Sequence, residues 1–256
     1  MGAHDEPKPD VGTASLSTGA DAGAGAERAP DLSADVVEAI VEVRGQLGVV
    51  HEIDPASTAL IVIDMQNFFL APGSGVEVPA ARDIVDNINR LAVSMRSVGG
   101  TVVWIRMTFE PNELADNWTA FLPVNGATKG PSTFRDIEPG QPGHELWPLL
   151  DVGGSDLIVD KRRFSAFIQG SSDLQELLDE RGIDTLIIVG TLTNVCCEST
   201  ARDAMMLNYR VIMIDDGTAT ISANAHRAAL DNVAMFFGEV QTTDHVVGML
   251  ANGAVG

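Results

Sequence analysis

The chain has 256 residues, 45% of them apolar, enough for one large domain or two small ones with a sizeable core. Its formal net charge of −20 excludes the basic face that phosphate recognition needs, so no nucleic-acid partner is expected. No apolar run approaches the roughly 18 residues of a membrane span, and the opening MGAHDEPKPD lacks the basic-then-apolar order of a secretory signal; a cytoplasmic protein without a membrane partner is expected.

Residues 1–31 are rich in Gly, Ala, Asp, Ser and Pro and carry almost no large apolar side chains. Such a stretch buries too little surface to offset its ordering entropy, so it is expected to be disordered. Residues 32–50 form a helix and linker: LSADVVEAIVEVRGQLG repeats apolar residues at helical spacing, with Ser33 as the cap. That helix packs on the main domain or on a partner subunit; the sequence leaves both open. Residues 51–256 read as one domain. TALIVIDM, from Thr58, is a continuous β-branched run, the mark of a strand covered on both faces. A helix is predicted over 79–98, with Pro79 in its first turn and Gly99 and Gly100 at its end. TVVWIRM is the second strand, DLIVDK the third, SSDLQELLDERG a helix closed by Gly182, and DTLIIVG the fourth strand. A helix over 194–207, the strand RVIMIDD, the helix ANAHRAALDNVAMFF, the short strand GEVQTT and the helix DHVVGMLAN complete the order. Residues 108–143 break the alternation and carry Trp118, Phe121 and Phe134 among several Gly and Pro, as lids and binding loops do.

Strands alternating with helices predict an α/β fold: a three-layer αβα, Rossmann-like arrangement around a six-stranded, mostly parallel sheet. Ligands in that fold bind beyond the carboxyl ends of the strands, so reactive side chains belong just after a strand's last residues. Asp64 ends the first strand, where a carboxylate is either exposed at the rim, a helix cap, or buried with a partner. Lys161 ends the third. In a chain with three lysines and more numerous arginines, it suits a compact charge beside a thiol, or else belongs to a solvated cluster with Arg162 and Arg163. Cys196 follows the fourth strand: Gly190 permits a tight turn, Thr193 or Asn194 can cap the next helix, and the cysteine falls in its first turn, where free N–H groups and the helix dipole lower a thiol pKa. The only other cysteine is its neighbour Cys197. Adjacent cysteines do not form an ordinary disulfide, and no CxxC spacing suggests zinc. About a hundred degrees separates the two around a helix, so one is packing, and spacing alone does not choose.

A base, a cation and a thiol thus converge on one rim. The stretches ALIVIDMQNFFL, EVPAARDIVDNINRL, IVDKRRFSAF and IIVGTLTNVCCESTARDAMMLNYRV resemble the isochorismatase-like superfamily of cysteine hydrolases over residues 57–250, nearer to N-carbamoylsarcosine and ureidoacrylate amidohydrolases than to nicotinamidases. The resemblance implies that Asp64, Lys161 and Cys196 are the catalytic acid, lysine and nucleophile, and that Cys197 is a small core residue. It implies a cis peptide at Thr191–Leu192, with the N–H groups of Leu192 and Cys196 as the oxyanion hole. The implied reaction is hydrolysis of a C–N bond in a small amide or ureide through a thioester, without a cofactor. Vinyl-ether, lactam or ester hydrolysis, or a catalytically silent scaffold, are the alternatives. Isochorismatases proper do not need the thiol, so its retention favours acyl chemistry. A homo-oligomer, dimer or tetramer, is implied as well. Two departures stand out: Arg162 occupies a position often held by proline, and FFLAPGSGVEVPAAR lacks the histidines of metal-binding nicotinamidases, so no metal is expected. Candidate substrate-binding residues around the rim are Gln66, Phe69, Trp104, Arg106, Trp118, Phe134, Phe164, Phe167 and Arg202.

Overall fold

Thr58–Ile63 (β1) is apolar along its length because both of its faces are covered, and all six residues are buried. The computed structural model describes residues 28–126 and 131–253. Five more strands join β1: β2 Thr101–Met107, β3 Leu157–Lys161, β4 Thr185–Thr191, β5 Arg210–Ala219 and β6 Glu239–Gln241. Their order is β3-β2-β1-β4-β5-β6, and every pairing is parallel. In chain order the helices are α1 Ala34–Arg44, α2 Asn67–Leu70, α3 Val85–Ser97, α4 Glu113–Asp116, α5 Leu174–Asp179, α6 Glu198–Met206, α7 Ala223–Asn232 and α8 Thr243–Gly253. Among the described residues, no helix is long and apolar enough to cross a membrane.

Helical periodicity decides how these pack. In α3 the buried residues are Val85, Ile88, Leu91, Ala92 and Met95, one stripe that lies on β1 and β2 and against α8. Right-handed crossovers put α6 and α7, which follow β4 and β5, on the opposite face. The helix expected over 79–98 is divided: Pro79–Arg82 makes a separate short turn before α3 begins. At the N-terminal side, α1 lies on its own domain, with Ile40 buried and Arg44 donating to Met235 O at 2.8 Å. Ser33 holds the N-cap position, but its hydroxyl donates to Asp231 Oδ2 at 2.6 Å, tying α1 to α7 instead of capping it. Contact begins earlier still: Arg28 pairs with Asp215 at 3.1 Å, and the Asp31 N–H donates to the same carboxylate at 2.9 Å. The rest of the stretch expected to be disordered lies in residues 1–27, outside the described residues.

From the centre of the sheet, β1 leads toward β2 and β4 toward β5, so a crevice opens beyond the carboxyl ends of β1 and β4. The two strands approach closely there. Gly190 is paired with Ile63, has φ of 112°, and a Cβ on it would collide with the Ile63 backbone. Glycine is therefore required by the neighbouring strand rather than by a turn. Gly190→Ala is expected to lower stability by more than about 3 kcal/mol, read as a reduced urea midpoint. A variant within about 1 kcal/mol of the parent would contradict this reading of the junction.

Candidate active site

Asp64 is the first residue beyond β1. Its backbone is left-handed, with φ of 54°, while its N–H still donates to Ile105 O at 2.9 Å. Short polar side chains tolerate this conformation best, and here the fully buried carboxylate ends up under the crevice. Lys161 ends β3, two strands away, which at roughly 4.8 Å per strand is about 10 Å. Only a long side chain spans that gap. The buried Lys161 stem passes Met107, with Nζ 3.8 Å from Met107 Sδ, and brings Nζ to 2.8 Å from Asp64 Oδ2. The same ammonium donates to Arg163 O at 3.1 Å and contacts Cys196 Sγ at 3.5 Å. Cys196 sits in a wide helical turn, Thr193–Cys197, in which the Cys197 N–H bonds to Leu192 O, five residues back, at 3.2 Å. The Thr191–Leu192 peptide is cis. Behind the turn, Thr193 Oγ1 hydrogen-bonds His226 Nδ1 at 2.9 Å, and His226 Nε2 meets Asp215 Oδ1 at 3.2 Å. Cys197 points the other way, its Sγ 4.0 Å from Val189 O in the interior.

Burial sets the protonation of this cluster. It raises the Asp64 carboxyl above its ordinary value, with the Lys161 ammonium opposing. On Lys161 burial acts downward, but Asp64 and then Cys196 outweigh it and hold the amine above its ordinary value, so it stays charged. Burial first, then the Asp64 carboxylate, pushes the Cys196 thiol far up, and Lys161 counters only in part. The lowering expected from a helix terminus is overridden, and the resting sulfur carries its proton. The carboxylate is held by the Lys161 charge and by the Cys196 thiol beside it.

Above the sulfur lies a cavity of about 170 Å³ lined by Phe68, Phe69, Val76, Met107, Phe109, Phe121, Asn125, Phe134, Ile137, Phe164, Leu192, Val195 and Cys196. Asp64 and Lys161 lie beneath it with no exposed surface. Residues 58–245 match the isochorismatase domain. The chain belongs to the isochorismatase family. It is 32% identical over 221 residues to the ureidoacrylate amidohydrolase of Caulobacter vibrioides, covering 80% of this chain and 96% of that protein. It is 31% identical over 204 residues to the enzyme of the same name from Klebsiella pneumoniae, covering 74% and 85%. Among solved structures, a cysteine hydrolase from Pseudomonas syringae pv. phaseolicola superposes with a TM-score of 0.73 at 31% identity, over 80% of this chain and 97% of that one. The N-carbamoylsarcosine amidase of Thermoplasma acidophilum shares the fold, with a TM-score of 0.60 at 24% identity over 73% and 97%.

Within this isochorismatase-family site, the residues expected to meet substrate divide sharply. Phe69, Phe134, Phe164, Leu192 and Cys196 line the cavity. Trp118 stands one layer back, 4.6 Å from Phe121 and 4.9 Å from Phe164 between ring centres, with the Arg163 guanidinium 5.0 Å from its own ring centre. The other candidates are engaged elsewhere. Gln66 is buried, donating to Met107 O and His144 O and accepting from the Met107 N–H, so it clamps the rim from below. Trp104 is buried inside the sheet and donates to Asp156 at 2.8 Å. Arg106 forks onto Asp160, Phe167 packs on Tyr209, and Arg202 pairs with Glu198 and covers Phe237. Missed in the sequence were Phe68, Val76, Met107, Phe109, Asn125, Ile137 and Val195, while Phe121 was placed in the lid without a substrate contact. Applying the strand-end rule to β2 as well would have found Met107 and Phe109. Arg162, at the position often held by proline, pairs with Glu110 at 3.3 Å. Among the described residues, no group of three or more His, Cys, Asp or Glu is placed to hold a metal ion.

His144, beneath the rim, contacts Thr108 Oγ1 at 2.8 Å and is buried. Burial first, then the Arg106 guanidinium, lowers its pKa below the ordinary 6.5. As pH falls through 6.5 the unfolded chain takes up a proton that the folded chain refuses, so stability declines on the acid side. His144→Gln is expected to flatten that part of the stability curve, measured by urea unfolding between about pH 5 and 7.5. An identical slope in variant and parent would remove His144 as its source.

Proposed function

We infer that this protein hydrolyses the C–N bond of a small amide or ureide through a thioester on Cys196. The observation that best supports this is the single ammonium of Lys161, 2.8 Å from Asp64 Oδ2 and 3.5 Å from Cys196 Sγ, directly under an apolar cavity. Its relatives named as ureidoacrylate amidohydrolases, which act on a ureide by name, support the bond type. Because the resting sulfur is a thiol, attack and deprotonation belong together: Asp64 takes the proton as the sulfur meets the substrate carbonyl. The N–H groups of Leu192 and Cys196 hold the oxyanion, a contribution of about 3–4 kcal/mol per donor in such sites. Collapse breaks the C–N bond, and Asp64 returns its proton to the leaving nitrogen. A water then gives a proton to Asp64 and attacks the thioester carbonyl; the C–S bond breaks and the thiol is restored. Lys161 keeps Asp64 ionised between proton transfers and stabilises negative charge on sulfur. The raised pKa of Asp64 suits a group that must both accept and donate.

The test is direct trapping. Acid quenching during turnover of a candidate amide, followed by mass spectrometry, should show a peptide containing Cys196 heavier by the acyl group. Turnover with no acyl adduct, even when the second half-reaction is slowed in heavy water, would favour a direct attack of water and overturn the thioester. Ammonia release separates C–N cleavage from vinyl-ether or ester hydrolysis.

A further inference from the structure

The lining of the cavity carries an inference about what it encloses, and this rests on the hydrolase reading above. Of its 13 residues, six are Phe (68, 69, 109, 121, 134 and 164), and none of the 13 is Lys, Arg or His. Three arginines near lining residues in the chain are turned to other partners, and Arg135, beside Phe134, is exposed. Arg163 covers Trp118 and pairs with Glu113 at 3.1 Å; Arg162 pairs with Glu110, and Arg106 with Asp160. Lys161 Nζ lies beneath the floor, fully buried between Asp64 and Cys196, where it serves the reacting centre rather than the far end of a substrate. Among the described residues, the one polar side chain in the wall besides the thiol is Asn125, and its Nδ2 donates to Phe121 O at 3.2 Å. A substrate carboxylate placed in this space would lose its water and gain no counter-charge from the described residues, the costliest kind of burial. An apolar ring loses nothing comparable. In size, the space of about 170 Å³ is close to the roughly 150 Å³ engineered apolar cavity that stays dry and admits benzene. Edge-to-face ring pairs already line it, Phe68 on Phe69 at 5.0 Å and Phe121 on Phe134 at 5.0 Å, so an entering ring meets the arrangement aromatic groups prefer.

We propose that the substrate is an uncharged amide or ureide whose substituent is apolar and about the size of one six-membered ring, and that anionic amides are rejected. This separates the chain from its relatives by chemistry, because the ureidoacrylate of their names carries a carboxylate. The balanced reaction is R–CO–NH2 plus water giving R–COOH and NH3, with R held among the phenylalanines.

The experiment compares the full-length protein on four compounds, benzamide and phenylurea against maleamate and ureidoacrylate, by ammonia release at saturating and subsaturating concentrations. The neutral pair should show kcat/KM at least ~100-fold above the acidic pair, equivalent to about 2.7 kcal/mol. A ratio under about tenfold, or one favouring the acids, overturns the assignment while leaving the hydrolase intact. Binding supplies an independent reading. In Cys196→Ala, calorimetry should show benzamide bound at least ~10-fold more tightly than maleamate. If none of the four is hydrolysed, the catalytic reading is at fault, and this binding ratio still decides the substrate class. Equal or reversed affinities, or no benzamide binding at millimolar concentration, overturn it.

Discussion

Cys196→Ala is expected to lower kcat at least ~1000-fold while the protein stays folded, and Cys197→Ala to change kcat by less than about tenfold. The two side chains are adjacent, nearly equally buried and of the same size, so packing alone would make the variants alike. What distinguishes them is direction: one sulfur meets the Lys161 ammonium at 3.5 Å and lines the cavity, and the other approaches the Val189 carbonyl inside the domain. Each substitution removes one buried sulfur and should cost about 1–2 kcal/mol of stability. Circular dichroism and urea midpoints establish that the fold is retained in both, and ammonia release on a common substrate gives the rates. Comparable losses of activity in the two variants would mean that the nucleophile has been misassigned or that the fold, not the thiol, was damaged. Labelling of the free enzyme with iodoacetamide should be slow, because burial and the Asp64 carboxylate keep the Cys196 thiol protonated. Slow labelling is therefore no sign of a silent scaffold. Acylation of Cys196 during turnover of a substrate, or its absence, is what separates enzyme from scaffold.

The helix-terminus rule predicts a lowered thiol pKa from a local feature, whereas the sign here is decided by desolvation and by a carboxylate 132 positions earlier in the chain. The positions themselves were legible. Strands covered on both faces must read as unbroken apolar runs, so their ends are visible, and Asp64 and Lys161 each stand at one. Lysine at the end of β3 also had a readable reason: an edge strand two places from β1 needs a long reach to deliver a charge there.

The substrate-facing residues were less legible for the same physical reason that made the strands clear. Because both faces of the sheet are covered, alternation along TVVWIRM does not say which side Trp104 faces, and its partner Asp156 is distant in sequence. Arg106 and Arg202 are long cations near the rim, and their pairing with Asp160 and Glu198 is a matter of side-chain geometry. In residues 108–143 no periodicity operates. The described part of that segment is held by ring contacts, Phe109 with Phe121 at 5.5 Å and Phe121 with Phe164 at 5.9 Å, which exist only once the fold has formed. The segment's aromatic content was plain, but the cavity it closes was not.

The second large effect concerns the buried pair. Lys161→Met is expected to lower stability by about 3–5 kcal/mol, because it leaves the Asp64 carboxylate buried without its counter-charge. The double variant Asp64→Asn with Lys161→Met should recover most of that loss, since a neutral pair of similar volume needs no desolvated charges, yet its kcat should remain at least ~1000-fold down. Stability and activity thus part company, which a merely structural ion pair would not produce. Alkaline titration supplies the sign. Both groups have folded pKa values above their ordinary ones, so the folded chain holds protons more tightly than the unfolded chain. For Lys161 the stabilisation is fully present below its ordinary value of 10.5 and is lost as pH rises through the folded value. Urea midpoints of the parent should therefore fall more steeply than those of the double variant above about pH 10. A single variant as stable as the parent at pH 7, or a double variant no more stable than the single, would mean that the two charges do not face each other in the folded protein. The shared machinery of Asp64, Lys161 and Cys196 would then lose its physical basis, because the ammonium can assist the sulfur only from where the carboxylate holds it.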